Sequence, residues 1–309
     1  MHKAVIYKST GSWYVAKDES GKQWQARMKG VFKIDDITST NPIAVGDEVE
    51  LEPEGDAPNN AMIVRIGERR NYINRQSPRH KRQHHIVASN LDQSVLIATL
   101  KDPRTSSGFI DRFLVATEMY HVPALLVFNK TDLYKKKELE LLDEYYAVYT
   151  EAGYTVLPLS LKTGLGLEEI KSLLQDKVSL VSGHSGVGKS SFINAVMGSN
   201  IRTQDVSGWS GKGMHTTTFA EMYDLPGGGK IIDTPGMREF GLVDVEKQEL
   251  SGYFPEMRKV LQNCQYNNCL HTNEQDCAVK EAVREGQISE DRYVSYCSIL
   301  DSLQTEHWK

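Results

Sequence analysis

The feature that most restricts this chain lies at residues 177–198. The apolar run KVSLV leads into Gly183-His184-Ser185-Gly186-Val187-Gly188-Lys189-Ser190, and SFINAVMG follows with helical spacing. This is the phosphate-binding loop pattern in the strand, loop, helix context that it requires. Gly183, Gly186 and Gly188 let the backbone wrap closely around phosphates, so that amide N–H groups and the helix N-terminus supply positive potential. Lys189 adds a charge at the β and γ phosphates. Ser190 offers its hydroxyl to Mg²⁺, and Ser191 belongs to the helix. The intervening His184, Ser185 and Val187 complete the expected nucleotide-contacting stretch.

The rest of the region agrees with such a domain. Apolar runs QSVLIATL, PALLVFN, YTVLPLS and KIIDTPG each end in polar or Gly-rich residues, and FIDRFLVATEMY, ELELLDEYYAVY and LEEIKSLLQ intervene with helical period. That alternation predicts an α/β fold with a mostly parallel sheet, its ligands bound at the carboxyl ends of the strands.

PALLVFNKTD indicates which nucleotide is bound. Asn129, Lys130 and Asp132 stand where a strand runs out into a loop. An aspartate accepts from both the ring N1–H and the exocyclic amine of guanine, whereas adenine presents an acceptor at the ring position and leaves the acid unpaired. Four residues alone are a weak signal. SLKTG, also after a strand, adds Ser160 and Lys162 as residues flanking the base. The bland reading makes Asn129 and Asp132 turn and cap residues.

The strand KIID enters Asp233-Thr234-Pro235-Gly236, where Asp233 is placed to hold Mg²⁺ through water and the Gly236 amide to sense a γ-phosphate. Upstream, GWSGKGMHTTTFAEMYDL carries His215, Thr216, Thr217 and Thr218 before a strand that pairs with KIID across PGGG. A Mg²⁺-binding threonine belongs in this segment, and spacing alone does not choose among the three. Met237 follows Gly236, so the glutamine that orients water in many GTPases is missing and intrinsic hydrolysis is expected to be slow. His215 is the candidate to position water instead; the plain alternative is a solvated loop histidine. Ordinary GTPases place the phosphate loop before NKxD. Here NKTD at 129 precedes the loop at 183, so the domain is read as circularly permuted.

Cys264, Cys269, His271 and Cys277 have the spacing C-x4-C-x-H-x5-C. Three thiolates and an imidazole make a closed, structural Zn²⁺ site, one per chain, with no open position for water. Two disulfides would need the distant Cys297 and an oxidising compartment. The first ten residues contain no apolar core of signal-peptide length, and no apolar run approaches the roughly 18 residues of a membrane span, so the expectation is cytoplasmic with no membrane partner.

Residues 1–68 read as five short strands, which suggests a Greek-key barrel of the oligonucleotide-binding (OB) type. Trp13, Tyr14 and Trp24 are candidates to stack on RNA or, in the alternative, to fill the barrel. The net charge is −5, unevenly spread: residues 1–85 hold 14 Lys and Arg against 11 Asp and Glu. Arg65, Arg69, Arg70, Arg75, Arg79, Lys81 and Arg82 crowd together with Glu68 as the only acid among them. This density suggests a phosphate-facing strip, with a solvated linker as the competing reading. Residues 69–90 lose their period and read as a basic linker, ordered where it meets a neighbour or partner.

The permuted order of NKTD (129–132), GHSGVGKSS (183–191), GMHTTT (213–218) and LPGGGKIIDTPGMREFGL (225–242), with the Cys/His cluster, resembles the bacterial ribosome small subunit-dependent GTPase A family over nearly the whole chain. The resemblance implies a GTPase stimulated by the 30S subunit, bound near its decoding region, active in late 30S maturation and released on GTP hydrolysis. It also implies His215 as the hydrolysis residue and favours Thr217 for Mg²⁺.

The expected architecture is therefore multidomain. An all-β OB-type barrel (1–68) and a basic linker (69–90) precede a circularly permuted α/β P-loop GTPase domain (91–245), and a small α-helical zinc-binding domain (246–309) follows. The expected partners are GTP and GDP, the 30S subunit and its 16S rRNA, with the protein a monomer. The rival readings are a GTP-gated scaffold module for a protein partner and a GTPase acting on transfer RNA.

Overall fold

The computed structural model describes residues 1–28, 42–55, 57–76, 84–198, 220–234, 242 and 245–305. Five strands come first: β1 (His2–Ser9), β2 (Tyr14–Asp18), β3 (Gln23–Met28), β4 (Glu48–Pro53) and β5 (Asn60–Ile66). β1 pairs with β2, β2 with β3, β3 with β5, β5 with β4, and β4 returns to β1, which closes the barrel. Closure removes the unpaired edges of the sheet. Alternate residues point inward, and Ala4, Ile6, Tyr14, Ala16, Trp24, Ala26, Leu51 and Ile63 form one core. Of the three aromatics considered for stacking, Tyr14 and Trp24 therefore fill the barrel, and Trp24 donates its indole N–H to Asp18 at 2.8 Å. Only Trp13, in the β1–β2 turn, is exposed.

The aperiodic segment after the barrel contains a hairpin of β6 (Tyr72–Gln76) and β7 (His84–Ser89). Three of the clustered arginines make ion pairs within the chain. Arg69 makes a two-pronged ion pair with Asp47, both contacts 2.6 Å, because a fully buried carboxylate requires a matched charge. Arg70 pairs with Asp92 and Arg65 with Glu50. The side chain of Arg75, and Arg79, Lys81 and Arg82, lie outside the described residues.

The central sheet is ordered β10-β9-β8-β11-β13-β12, with β8 (Gln93–Ala98), β9 (Ala124–Phe128), β10 (Thr155–Pro158), β11 (Val178–Ser182), β12 (Glu221–Asp224) and β13 (Lys230–Asp233). All neighbours are parallel except β12, which forms the expected hairpin with β13. Around this sheet lie α1 (Ser107–Met119), α2 (Lys136–Glu151), α3 (Leu167–Leu174) and α4 (Lys189–Met197). β8 is buried throughout, as a strand covered on both faces must be.

Barrel and central sheet are continuous. β1 runs on to pair with β12 at Lys8 and Glu221, whose side chains are 3.1 Å apart. Asp224, at the end of β12, accepts from the Tyr7 hydroxyl at 2.6 Å and from Lys17 at 2.5 Å.

The C-terminal unit comprises α5 (Pro255–Arg258), α6 (Ala278–Arg284) and α7 (Glu290–Thr305). Phe254, Met257, Val279, Tyr296, Ile299 and Leu300 share one core with Phe113 and Leu114 of α1. Among the described residues, no helix is long and apolar enough to cross a membrane.

Candidate nucleotide site and metal centre

β11 and β13 are in register from Val178 opposite Lys230 to Val181 opposite Asp233, so the start of the phosphate-loop motif and Asp233-Thr234 leave the sheet side by side. Gly183 turns the chain out of β11 beneath Ile97, whose carbonyl oxygen would stand 2.5 Å from any Cβ at this position. Gly188 adopts φ +95° and a Cβ there would meet Asn129 Nδ2 at 2.5 Å. Both positions thus need glycine for close approach.

That second neighbour joins two motifs 58 residues apart. Asn129, 2% exposed, donates from Nδ2 to the carbonyl of Val187 at 2.9 Å. Its Oδ1 is buried and accepts no hydrogen bond from any described group. A buried, orphaned acceptor of this kind fits a ligand donor. Tyr134, which the sequence reading did not single out, accepts from the Leu100 N–H and donates to the Asn129 carbonyl at 2.7 Å. Burial pushes its hydroxyl up to about 12, so it remains a donor. Asp132 Oδ1 accepts from Ser160 Oγ at 2.7 Å, and Lys162 Nζ is 4.0 Å from Oδ2. Thr131 ties these loops by donating to the Leu159 carbonyl through both its N–H and its hydroxyl. Lys130 takes left-handed φ (65°) and its Nζ donates to the Asp102 carbonyl at 2.5 Å.

Lys189 donates to the Thr234 carbonyl at 2.7 Å and lies 3.5 Å from Asp233 Oδ1. Ser190 and Ser191 occupy the exposed first turn of α4, and Ser185 and Gly186 are exposed at the tip of the loop. A hydroxyl at Ser190, in the first turn of α4, and a carboxylate at Asp233, at the end of β13, are hard oxygen donors, the chemistry that Mg²⁺ takes. His184 Nε2 lies 2.7 Å from Thr105 Oγ1, Nδ1 is 3.2 Å from the Ser185 carbonyl, and the ring meets Phe109 edge-on. Thr105 is a second residue that the sequence reading missed, since no motif marks it. His215, Thr216, Thr217, Thr218, Gly236 and Met237 lie outside the described residues.

In the C-terminal unit the ligand atoms of Cys264, Cys269, His271 and Cys277 all lie within 4.8 Å of one another, a grouping that could hold a metal ion. His271 Nδ1 is 3.6 Å from Cys264 Sγ and 3.3 Å from Cys277 Sγ. Burial lowers the imidazole's proton affinity, which favours the neutral form that binds metal. Burial, reinforced by the neighbouring thiols, pushes Cys269 up to about 12, and a bound dication would relieve that crowding of sulfur. Glu274 holds the loop by accepting from the N–H groups of Leu270 and Thr272. Cys297 sits apart in α7 and is half-buried.

Residues 66–243 match the family model described as RsgA GTPase, and residues 3–62 match that described as RsgA N-terminal domain. Small ribosomal subunit biogenesis GTPase RsgA of Bacteroides fragilis (strain YCH46) is 48% identical over 98% of this chain and 97% of its own length. The protein of that description from Cytophaga hutchinsonii is 50% identical, covering 98% and 99%. Among solved structures, YjeQ from Thermotoga maritima aligns with a TM-score of 0.78 at 32% identity, covering 98% of each chain. YloQ, described as a circularly permuted GTPase, aligns with a TM-score of 0.75 at 28% identity, covering 99% of this chain and 96% of its own.

Proposed function

The chain belongs to the RsgA GTPase family, and from that premise we propose that it is a Mg²⁺-dependent GTP hydrolase of small ribosomal subunit biogenesis whose hydrolysis is stimulated by the 30S subunit. The observation that carries the reading is the Asn129 to Val187 hydrogen bond, because it ties a guanine-selective loop to a phosphate-binding one in a single cleft.

Asn129, Asp132, Ser160 and Lys162 select the base, with the Lys130 stem along it. The amides from Gly183 to Ser191, including those of His184, Ser185, Gly186, Val187 and Gly188, hold the phosphates together with Lys189. Ser190, Thr217 and Asp233 would hold Mg²⁺, which would supply positive charge to the phosphates. The Gly236 amide reads the γ-phosphate. His215 orients the attacking water, which explains why Met237 is tolerated where many GTPases carry glutamine.

The barrel at 1–68 and the basic segment at 69–90 engage 16S rRNA, the domain at 91–245 hydrolyses GTP to GDP, and the unit at 246–309 carries a structural Zn²⁺ on its three thiolates and His271. The protein acts late in 30S maturation as a cytoplasmic monomer and leaves when GTP is spent. The test is phosphate release by the purified protein alone and with 30S subunits, 50S subunits or transfer RNA. Strong stimulation by 30S alone is expected; equal rates in all four would defeat the reading.

A further inference from the structure

We propose that the loop joining β8 to α1, residues 99–106, is a positioning element for nucleotide binding, and that Thr105 acts through His184 to hold the phosphate loop in its binding shape. The inference rests on the reading of this cleft as the GTP site.

Thr105 is 1% exposed and stands 79 residues from His184 in sequence. Its hydroxyl oxygen accepts from the Thr99 N–H at 3.0 Å. The hydroxyl proton is then free to point at His184 Nε2, 2.7 Å away. That choice places the ring proton on Nδ1, which faces the Ser185 carbonyl at 3.2 Å. Every polar atom of the ring is satisfied by one tautomer, and the Phe109 edge holds its plane. The loop also abuts the tip of the phosphate loop: Pro103 Cδ lies 3.3 Å from where a Cβ on Gly186 would be. Next to Pro103 the Asp102 carbonyl receives Lys130 Nζ, and Thr99 Oγ1 closes the turn onto the Pro103 carbonyl. One short segment thus touches both the base loop and the phosphate loop.

A phosphate loop with three glycines has much backbone freedom to lose when it closes on a nucleotide. Bracing it from outside removes part of that cost in advance. Because the braced amides contact phosphates in ground and transition states alike, the effect falls on binding and not on the chemical step.

The experiment titrates the full-length protein with fluorescent GDP and a non-hydrolysable GTP analogue, using wild type, Thr105→Val, Thr105→Ser, His184→Ala and the Thr105→Val/His184→Ala double variant. Thr105→Val and His184→Ala are each expected to weaken affinity about tenfold, with the double variant no weaker than the weaker single. Thr105→Ser should stay within about twofold of wild type, and in Thr105→Val the KM for GTP should rise with kcat held. A Thr105→Val protein with wild-type affinity, effects that multiply in the double variant, or a fall in kcat at constant KM would each overturn the proposal. If Thr105→Val fails to fold, His184→Ala decides alone, since Thr105 keeps its Thr99 bond there, and unchanged affinity overturns the brace. A wild-type chain that binds no guanine nucleotide would instead overturn the reading of the cleft, and the brace with it.

Discussion

Arg292 Nη1 lies 2.6 Å from Asp111 Oδ1, and this contact fastens α7 of the C-terminal unit to α1 of the central domain. The same guanidinium grips Glu256 at 2.7 and 3.1 Å and stacks on Phe254, 4.6 Å from its centroid. Burial works against its charge, but the two carboxylates outweigh burial and hold Arg292 above its ordinary value. Burial pushes Asp111 upward despite Arg292, so the carboxylate depends on its partner to stay charged. Arg292→Met would leave two acids without a cation in the seam. We expect a loss of about 3–5 kcal/mol in urea unfolding. A loss below about 1 kcal/mol would show that the seam is held by its apolar contacts.

Asp18 supplies a pH-dependent element in the barrel. Hydrogen bonds from Ser20 Oγ and the Trp24 indole, with the N–H groups of Ser20 and Lys22, lower its carboxyl from 3.8 to about 2. A folded-state value below the unfolded one stabilises the protein above the unfolded value, and the gain is lost as pH falls from about 4 toward 2. Asp18→Asn should therefore be less stable than wild type at pH 6, with the gap narrowing at pH 3. A gap that stays constant with pH would contradict the linkage.

How much of this was legible in the sequence depended on how local each determinant is. The phosphate loop, NKTD and the Cys/His spacing are short motifs whose chemistry needs those residues in that order, and the structure brings Asn129 against Val187. Strand alternation gave the barrel, but alternation does not say which phase faces inward without a partner strand, so Trp24 and Tyr14 stayed ambiguous. Arg69 looked like its neighbours in a basic run. Its pairing with Asp47, 22 residues earlier, depends on barrel closure. Thr105 and Tyr134 carry no signature, and they meet the site only because β8, β9 and β11 lie adjacent in the sheet.

The Cys/His cluster predicts a metal stoichiometry independent of hydrolysis. Elemental analysis of purified protein should find about one zinc per chain, and Cys277→Ser should lose it. Because the cluster adjoins Tyr296, whose hydroxyl donates to the Leu270 carbonyl, and Tyr293, which donates to the His271 carbonyl, metal loss should loosen α7. Prolonged chelation is then expected to lower the unfolding temperature of wild type and leave Cys277→Ser unchanged. Wild-type protein that is zinc-free yet equally stable would remove the metal from the account.

Guanine selection is open to a change of substrate preference. Ser160 donates to Asp132 Oδ1 at 2.7 Å, so under the proposed function Oδ2 would be the oxygen that meets the base. In Asp132→Asn the same Ser160 bond would keep the amide oxygen in place and put an NH₂ group where Oδ2 stood. That donor opposes the donors of guanine but complements the 2-oxo group of xanthine. GTP affinity should fall by about 10²-fold or more while xanthosine triphosphate gains, since a site built around a hydrogen bond rejects the analogue that cannot make it. Competition of the two nucleotides for 30S-stimulated phosphate release reads the exchange directly. Unaltered preference for GTP would mean that Asp132 does not read the base, and the selectivity would have to come from backbone groups of the 160–164 loop.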